Sequence, residues 1–299
     1  WITDSCGRDC VPAPMFRRSF RVKPGVVRAR LYASAAAYGK FFLNGEPVSE
    51  NRLDPGYTHY DRRNLYTVHD VTPLLQEGEN LLGAVLGNGF YNALQPLAVW
   101  NFENARWRNR ARMICELHLD YADGGHEVVC SDSLWRTSAD GPYLSNDIYS
   151  GDTYDARREI PGWERPGFDD GAWAQAVEVE APSPRLKAQV MPPIRVTREL
   201  KPVEVRSFGD TVWVFDFGTN ISGVCRLAVE GEPGTRVTLT HGELLQPSGR
   251  IEMRNINPYF HPRPGYAFQT DTYILRGGER ETWAPDFTYH GFRYVELVS

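Results

Sequence analysis

Residues 283–298, with the sequence WAPDFTYHGFRYVELV, decide the fold of this chain. Large apolar side chains such as Phe287 and Phe292 recur at nearly every second position, which is the pattern of a strand with one buried face. A strand so rich in aromatic residues indicates a place in a core. The alternation is interrupted at Gly291, which predicts a β-bulge or a close backbone approach. Because the sequence ends at Ser299, one residue after this strand, we interpret the strand as the border of a domain.

A proline-rich segment divides the residues that precede this strand into two parts. Residues 181–196, APSPRLKAQVMPPIRV, contain four prolines, and such a segment is typical of a linker. We place the boundary within it and expect two domains, at residues 1–187 and 188–299. The second domain begins a further series of short strands, of which DTVWVFDFG at 210–218 is an example.

The first part shows the same alternation of short strands and turns. In KFFLNGEPVS, at residues 40–49, Asn44-Gly45 provides the two positive φ values of a type I′ hairpin turn. No segment repeats apolar residues at helical spacing over three turns, and the best helical candidate is a short turn at 72–76. Regular short strands separated by Gly, Asn and Asp turns predict an all-β protein with two consecutive β-sandwich domains.

The clearest predicted hairpin lies at residues 112–132, RMICELHLDYADGGHEVVCSD. If residues 123–124 form a two-residue turn, Leu117 faces Cys130 and Cys115 is the diagonal neighbour of Cys130. Diagonal neighbours are about 7–8 Å apart, which is too far for a disulfide. We therefore expect Cys115 and Cys130 to be buried thiols.

The cysteine count is odd, at five, so at least one thiol is free or forms an intermolecular bond. Cys6 and Cys10 lie four residues apart in a segment without regular structure, and they could form a local disulfide in an oxidising compartment. No second cysteine pair or histidine pair lies nearby, which argues against zinc there. We favour a secreted or periplasmic location over a cytoplasmic one.

Composition argues against two classes of function. The formal net charge of the 299 residues is -5 and the pI is about 5.9, whereas a nucleic-acid-binding protein normally has a positive field. No run of about 18 apolar residues occurs, so we expect no membrane-spanning helix. The aromatic content of 12% fits a β-rich core, and it also fits exposed rings that stack on sugars. Composition leaves both interpretations open.

Paired carboxylates for glycoside hydrolysis cannot be singled out among 38 acidic residues. Asp169-Asp170 are adjacent, so their side chains point apart, and turn capping explains them better than catalysis. Asp147, Asp152 and Asp155 could gather in a loop and bind Ca²⁺, but their spacing lacks the terminal Glu of an EF-hand. We therefore predict no catalytic pair and only a weak calcium site.

Other chemistry-bearing motifs are also missing from the sequence. There is no G-x-S-x-G elbow around a serine and no phosphate-binding loop. The seven histidines are scattered, and none shares a helical face at i, i+4 with another. We therefore expect no metal site and no catalytic residue in this chain.

Sugar binding is the functional hypothesis that the residues themselves support. The predicted loop at 87–110 contains Tyr91, Asn92, Trp100 and Trp107. Aromatic faces for stacking and amides for hydroxyl groups are the chemistry of carbohydrate recognition. The alternative is that the tryptophans close the end of a sandwich or pack against a neighbouring domain. We keep both interpretations and take these four residues as the candidate carbohydrate site.

Long ordered phrases of this sequence resemble the N-terminal, non-catalytic portion of bacterial α-L-rhamnosidases of glycoside hydrolase family 78. They include RARLYASAAAYGKFFLNGEPV at 28–48, VFDFGTNISGVCRLAVEGEPGTRVTLTHGELL at 214–245 and FTYHGFRYVELV at 287–298. The resemblance runs over nearly the whole chain, from about residue 16 to residue 298.

The resemblance implies a galactose-binding-like jelly-roll domain, then a second, concanavalin-like β-sandwich, then a helical (α/α)₆ barrel. In the family the barrel holds the acidic residues that hydrolyse terminal α-L-rhamnosides with inversion. None of those residues has a position in this chain, so we expect the chain alone to be inactive. The implied partners are rhamnose-containing glycans and the barrel of the parent protein.

Two further interpretations come from other functional classes. The chain could be a free-standing lectin-like carbohydrate-binding module, a hypothesis that rests on the loop at 87–110. It could also be a hydrolase with an active site of its own in the β-domains, which we favour least because no catalytic pair is visible.

Overall fold

The computed structural model describes residues 1–93, 102–256 and 268–299, and in these residues strands and turns predominate. Three short 3-10 helices lie at Thr72–Leu74, Phe102–Asn104 and Ala156–Arg158. The described strands, in chain order, are β1 Ile2–Thr3, β2 Met15–Val22, β3 Val26–Ala36, β4 Tyr38–Leu43, β5 Glu46–Pro47, β6 Asn64–Asp70, β7 Gly78–Gly87, β8 Arg112–Tyr121, β9 His126–Cys130, β10 Arg136–Ser138, β11 Tyr143–Asp147, β12 Gly151–Asp155, β13 Ala174–Gln175, β14 Val177–Glu178, β15 Leu186–Ala188, β16 Glu204–Ser207, β17 Val212–Gly223, β18 Leu227–Val229, β19 Arg236–Gly242, β20 Leu244–Leu245, β21 Ile251–Glu252, β22 Thr270–Ile274, β23 Glu281–Trp283 and β24 His290–Val298. The all-β prediction is confirmed.

The chain folds as two compact units. The first comprises residues 1–92, 106–141 and 160–195, and the second comprises residues 93–105, 142–159 and 196–299. The first unit therefore reaches to the end of the proline-rich segment, and both units draw on more than one stretch of sequence. The domain boundary between residues 187 and 188 stays a prediction.

Two sheets form the first unit. One has the strand order β14-β1-β8-β3-β6-β15, with β9 added beside β8, and the other has the order β13-β10-β2-β7-β4-β5. Strand β3 shows why they pack face to face: Ala29 and Leu31 are fully buried, whereas Arg28 and Arg30, which alternate with them, are exposed. The apolar faces of both sheets share one core, to which Trp135 also contributes. This is the predicted sandwich.

A seven-stranded sheet with the order β11-β12-β22-β19-β24-β17-β16 forms most of the second unit. A two-stranded ribbon, β18 with β23, packs Leu227 and Trp283 against buried residues of this sheet. The stretch that opened the sequence analysis supplies β24, which lies between β19 and β17. It is therefore a central strand of its sheet, as its aromatic content predicted.

The irregularity predicted at Gly291 lies instead on the neighbouring strand. In the pairing of β17 with β24, Asp216 faces Tyr294 but Ile221 faces Phe292, so the extra residues belong to β17. Gly218, at φ +75, is one of these extra residues, and glycine adopts this left-handed conformation without steric cost. The bulge prediction was therefore right in kind and wrong in strand.

The hairpin turns test the sequence rules directly. Asn44 and Gly45 have φ values of 55° and 90°, which confirms the type I′ turn. The hairpin of β8 and β9 differs from its prediction, because Tyr121 N–H donates to the Gly125 carbonyl at 2.9 Å and closes a three-residue loop. Gly124 there adopts φ +85, the positive-φ position that ends such a loop.

That longer loop changes the register by one residue. Cys130 therefore faces Glu116 instead of Leu117. A shift of one residue moves every side chain of β9 to the opposite face of the sheet, and Cys130 is consequently exposed. The prediction of a buried thiol is wrong for Cys130 and confirmed for Cys115. Cys6 and Cys10 form the predicted local disulfide. In the described part of the chain, no helix is both long enough and apolar enough to cross a membrane.

Candidate functional site

An aromatic cluster in the first unit contains most of the described residues of the predicted sugar site. Tyr60 lies at its centre, with its ring centroid 5.2 Å from that of Tyr91 and 6.2 Å from that of Trp107, both edge to face. Phe90 and Trp1 pack at its border. Aromatic pairs in this geometry contribute about 0.5–1.5 kcal/mol each beyond their buried area, so the cluster is a rigid support.

Burial determines the electrostatics of the cluster. It raises the pKa of Tyr91 to about 12, although the nearby Arg112 guanidinium, 5.8 Å from the ring centroid, acts in the opposite direction. Burial also raises the pKa of Tyr60 well above its usual value, and its hydroxyl has no hydrogen-bond partner among the described residues. Both phenols are therefore neutral at physiological pH and cannot act as bases.

Two of the four predicted site residues are buried in the first unit. Tyr91 is 2% exposed and Asn92 is 0% exposed, so both lie inside the unit. In the orientation that satisfies its neighbours, the Asn92 amide nitrogen donates to the backbone carbonyls of Arg8 and Asn109 at 3.1 and 3.2 Å. Both residues therefore stabilise the interior of the first unit, and a direct sugar contact from them stays a prediction.

The two tryptophans stand apart from this pair. Trp107 is half-buried and donates its indole N–H to the Phe90 carbonyl at 3.2 Å. It also contacts the ring of His59, at a centroid distance of 4.6 Å. Trp100 lies outside the described residues, so its role stays a prediction.

Two accessible rings of the cluster were missed in the sequence. Tyr57 is 43% exposed and packs on Phe90 at 4.8 Å, and the His59 side chain is 57% exposed and hydrogen-bonds to Asp61. The available signal was the phrase YTHYD at residues 57–61, in which aromatic and polar residues alternate. The phrase precedes the predicted loop at 87–110, and its sequence alone does not show that it packs beside Tyr91 and Trp107.

Carboxyl groups with raised pKa values are the usual sign of a glycosidase acid, and two occur among the described residues. Burial raises the pKa of Asp147 and, more strongly, that of Asp152, for which the charge of Asp271 is a second cause. Asp147 and Asp152 are 4% and 0% exposed. A general acid must come within hydrogen-bond reach of its substrate, so these groups fit a structural role.

The three aspartates proposed for Ca²⁺ have separate partners. Asp147 accepts hydrogen bonds from the N–H groups of Tyr149 and Ser150, both at 3.0 Å. Asp155 forms a bidentate pair with Arg157 at 2.8–2.9 Å. Within the described ranges the three do not form a metal-ligand cluster together, so the structure does not support the weak calcium prediction.

The adjacent acids Asp169 and Asp170 divide between two roles. Asp169 accepts from the N–H of Gly171 at 3.0 Å, which confirms turn capping. Asp170 instead pairs with Arg17, whose side chain is 1% exposed. Turn capping was therefore the wrong interpretation for Asp170, since a buried guanidinium requires a counter-charge.

The scattered histidines include two that the fold brings together. His241 and His290 stack at a ring centroid distance of 4.2 Å, and Asp271 lies beside both. The absence of a shared helical face in the sequence does not keep these histidines apart, because neighbouring strands of a sheet bring residues distant in sequence together.

Two family models match this chain, one after the other. The model of the alpha-L-rhamnosidase N-terminal domain matches residues 25–198. The model of the bacterial alpha-L-rhamnosidase concanavalin-like domain matches residues 206–299. The chain belongs to the bacterial α-L-rhamnosidase family. The resemblance inferred from the sequence is thereby confirmed.

The chain spans less than a third of the length of the relatives that it matches. An α-L-rhamnosidase of Streptomyces avermitilis is 40% identical over 96% of this chain, which covers 27% of that relative. One of Formosa agariphila is 34% identical over 97% of the chain, which covers 30% of it. The crystal structure of the Streptomyces avermitilis enzyme complexed with L-rhamnose superposes with a TM-score of 0.88 at 39% identity, over 97% of this chain and 27% of that one.

Proposed function

We propose that this chain is the non-catalytic β-domain region of an α-L-rhamnosidase and that a helical barrel outside residues 1–299 hydrolyses terminal α-L-rhamnosides. The observation that carries the proposal is the extent of the match. Nearly all of this chain aligns with α-L-rhamnosidases, while it spans less than a third of their length. The β-domains would support and orient the barrel, and rhamnose-containing glycans would be the substrates of the whole protein.

The chemistry of the described acids supports this proposal. Hydrolysis needs two carboxyl groups on either side of a bound sugar, about 5–9.5 Å apart, with access to the glycosidic oxygen and to water. The acids with raised pKa values, Asp147 and Asp152, are instead buried and accept hydrogen bonds from backbone N–H groups. They therefore stabilise the β-structure.

A comparison of two samples tests the proposal. We expect the gene product at its natural length to release nitrophenol from 4-nitrophenyl α-L-rhamnoside, and residues 1–299 at the same molar concentration to release none. Both samples should have folded β-structure by circular dichroism. Hydrolysis by residues 1–299 alone would contradict the proposal, and so would a full-length protein that is folded and inactive on every rhamnoside offered.

A second candidate function is carbohydrate binding by the aromatic cluster itself. The observation that favours it is the accessible edge formed by Tyr57, His59 and Trp107, where ring faces lie beside the carboxylate of Asp61. Rings stack on the C–H faces of a sugar, and the carboxylate accepts from its hydroxyl groups. In this proposal Tyr91 and the rest of the buried cluster hold the edge rigid.

Titration of residues 1–299 with L-rhamnose and methyl α-L-rhamnoside by calorimetry tests the second candidate. We expect Tyr57→Ala and Trp107→Ala to weaken binding by about 2- to 10-fold, which corresponds to the loss of one stacking contact. The matched control is Tyr289→Ala, which removes a tyrosine of similar exposure, 40%, from the second unit. Equal affinity in all four proteins, or no binding by the wild type, would refute this site.

A further inference from the structure

Three side chains of the second unit meet at one end of its sheet: His241 of β19, Asp271 of β22 and His290 of β24. Their strands are neighbours in the order β22-β19-β24, and each side chain is at most 1% exposed. Nε2 of His290 lies 3.1 Å from Oδ2 of Asp271, and Nε2 of His241 lies 3.9 Å from the same oxygen. One ligand atom from each residue lies within 4.8 Å of the other two.

The tautomer of His241 follows from its surroundings. Its Nδ1 lies 3.0 Å from the carbonyl oxygen of Gln269, which can only accept, so Nδ1 carries the hydrogen and donates it. Nε2 then has a free lone pair, and among the described residues it has no hydrogen-bond partner. Metal-binding histidines usually hold their other N–H on a carbonyl or carboxylate in this way.

Nε2 of His241 lies 3.9 Å from Oδ2 of Asp271, which is too long for a hydrogen bond. A cation between the two atoms would be attracted by both, and it would satisfy the Nε2 of His241, which no described donor reaches. A tetrahedral ion with bonds of about 2.0–2.1 Å holds its ligand atoms about 3.3–3.4 Å apart. The distances of 3.1 and 3.9 Å to Asp271 Oδ2 lie on either side of that value, and all three ligand atoms lie within 4.8 Å of one another, so binding would require side-chain rotations that draw them together.

We propose that His241, Asp271 and His290 bind a Zn²⁺ ion that ties β19, β22 and β24 together. Two imidazole nitrogens and one carboxylate oxygen are ligands that Zn²⁺ accepts, whereas Ca²⁺ and Mg²⁺ prefer sets made of oxygen alone. A water molecule would complete four-fold coordination. Because the three side chains are buried, the site serves stability. It is independent of the proposed role in rhamnoside hydrolysis.

Neighbouring groups already hold the carboxylate in place. Oδ1 of Asp271 accepts from the backbone N–H of Asp152 at 3.0 Å, which leaves Oδ2 directed to the histidines. The Asp152 carboxylate in turn accepts from the N–H groups of Asp286 and Phe287 at 2.8 and 3.0 Å. Such hydrogen bonds behind a ligand orient it and commonly affect metal affinity by about 10- to 100-fold.

Metal analysis of the purified chain tests the proposal. Residues 1–299 would be produced in minimal medium supplemented with Zn²⁺ and dialysed against metal-free buffer. The zinc content per chain would then be measured by inductively coupled plasma mass spectrometry. We expect about one Zn²⁺ per chain in the wild type and less than about a tenth of that in His241→Gln and His290→Gln, because each variant loses one of three protein ligands. Leu239→Ala is the matched control: it removes a buried side chain from the same strand without removing a ligand, and it should retain the ion.

Thermal unfolding provides a second readout that does not depend on the variants. Wild-type chain produced without Zn²⁺ should melt about 5–10 °C higher when free Zn²⁺ is present at 100 times its dissociation constant, and Mg²⁺ should have no such effect. The proposal is refuted if the wild type contains no more zinc than His241→Gln, or if Zn²⁺ leaves the melting temperature of the wild type unchanged. The cluster would then be a hydrogen-bonded network without a metal.

Discussion

The cores of the two units differ in the polarity of the residues that their sheets bury. In the first unit the residues between the two sheets are apolar, and Trp135 completes the core with its indole N–H donated to the Cys130 carbonyl at 2.9 Å. In the second unit the buried face of β19 runs from Val237 through Leu239 to His241, and thus from apolar residues to the polar cluster.

This difference separates two ways of stabilising a sheet. Buried apolar area stabilises at about 25 cal/mol per Å², largely regardless of pH or ions. A buried polar cluster stabilises its surroundings only while every donor and acceptor has a partner, because an unsatisfied group costs about 1–3 kcal/mol. We therefore expect the first unit to respond mainly to cavities and the second to charge, protons and cations.

The largest expected effect comes from removing a large side chain from the first core. Trp135→Ala should lower the free energy of unfolding by about 3–5 kcal/mol, because it leaves a cavity between the sheets. Its neighbour Leu134 is 56% exposed, so Leu134→Ala should change the same quantity by less than about 0.5 kcal/mol. Urea unfolding followed by tryptophan fluorescence measures both. Similar values for the two variants would mean that the first unit does not depend on its apolar core.

A smaller effect is expected from a buried carboxylate of the second unit. Glu281 is 4% exposed and accepts hydrogen bonds from the Tyr273 hydroxyl and from the N–H groups of Arg276 and Gly277, at 2.8–2.9 Å. Glu281→Gln replaces one acceptor oxygen with a donor and should cost about 1–3 kcal/mol in urea unfolding. The exposed Glu279 provides the control, and Glu279→Gln should leave stability unchanged. Equal stabilities would show that the carboxylate is not needed.

The smallest effect is the pH dependence of that carboxylate. Burial alone would raise the pKa of Glu281, but the hydrogen bonds from Gly277, Arg276 and Tyr273 lower it below its usual 4.5. The unfolded chain then binds more protons as the pH falls below 4.5, so this contribution to stability is present above that value and declines below it. The urea midpoint of the wild type should fall between pH 5 and pH 3 more steeply than that of Glu281→Gln. Parallel curves would contradict this assignment.

Local patterns account for much of the fold. Asn44-Gly45 identified its turn because only a type I′ hairpin needs two successive positive φ values, and the strand patterns identified β8 and β24. The register of β8 and β9 was missed because the phrase ADGG suits both a two-residue and a three-residue loop. Gly124 decides between them through a conformation that the sequence does not reveal.

The sites were less predictable than the strands. His241 and His290 are 49 positions apart in the numbering, and only the sheet order places β19 beside both β22 and β24. No local spacing carries that information. Tyr91 and Asn92 have side chains suited to sugars, yet burial, which composition does not specify, directs them into the unit.

The central proposal is that the acids with raised pKa values hold the β-structure together and that this region performs no hydrolysis of its own. The most direct test measures nitrophenol release from 4-nitrophenyl α-L-rhamnoside and the urea midpoint in the same preparations of wild type, Asp147→Asn and Asp152→Asn. We predict no release by any of the three and a lower midpoint in both variants, because each substitution disturbs a buried hydrogen-bonded carboxyl group. Release by the wild type that disappears in a variant with an unchanged midpoint would contradict the account.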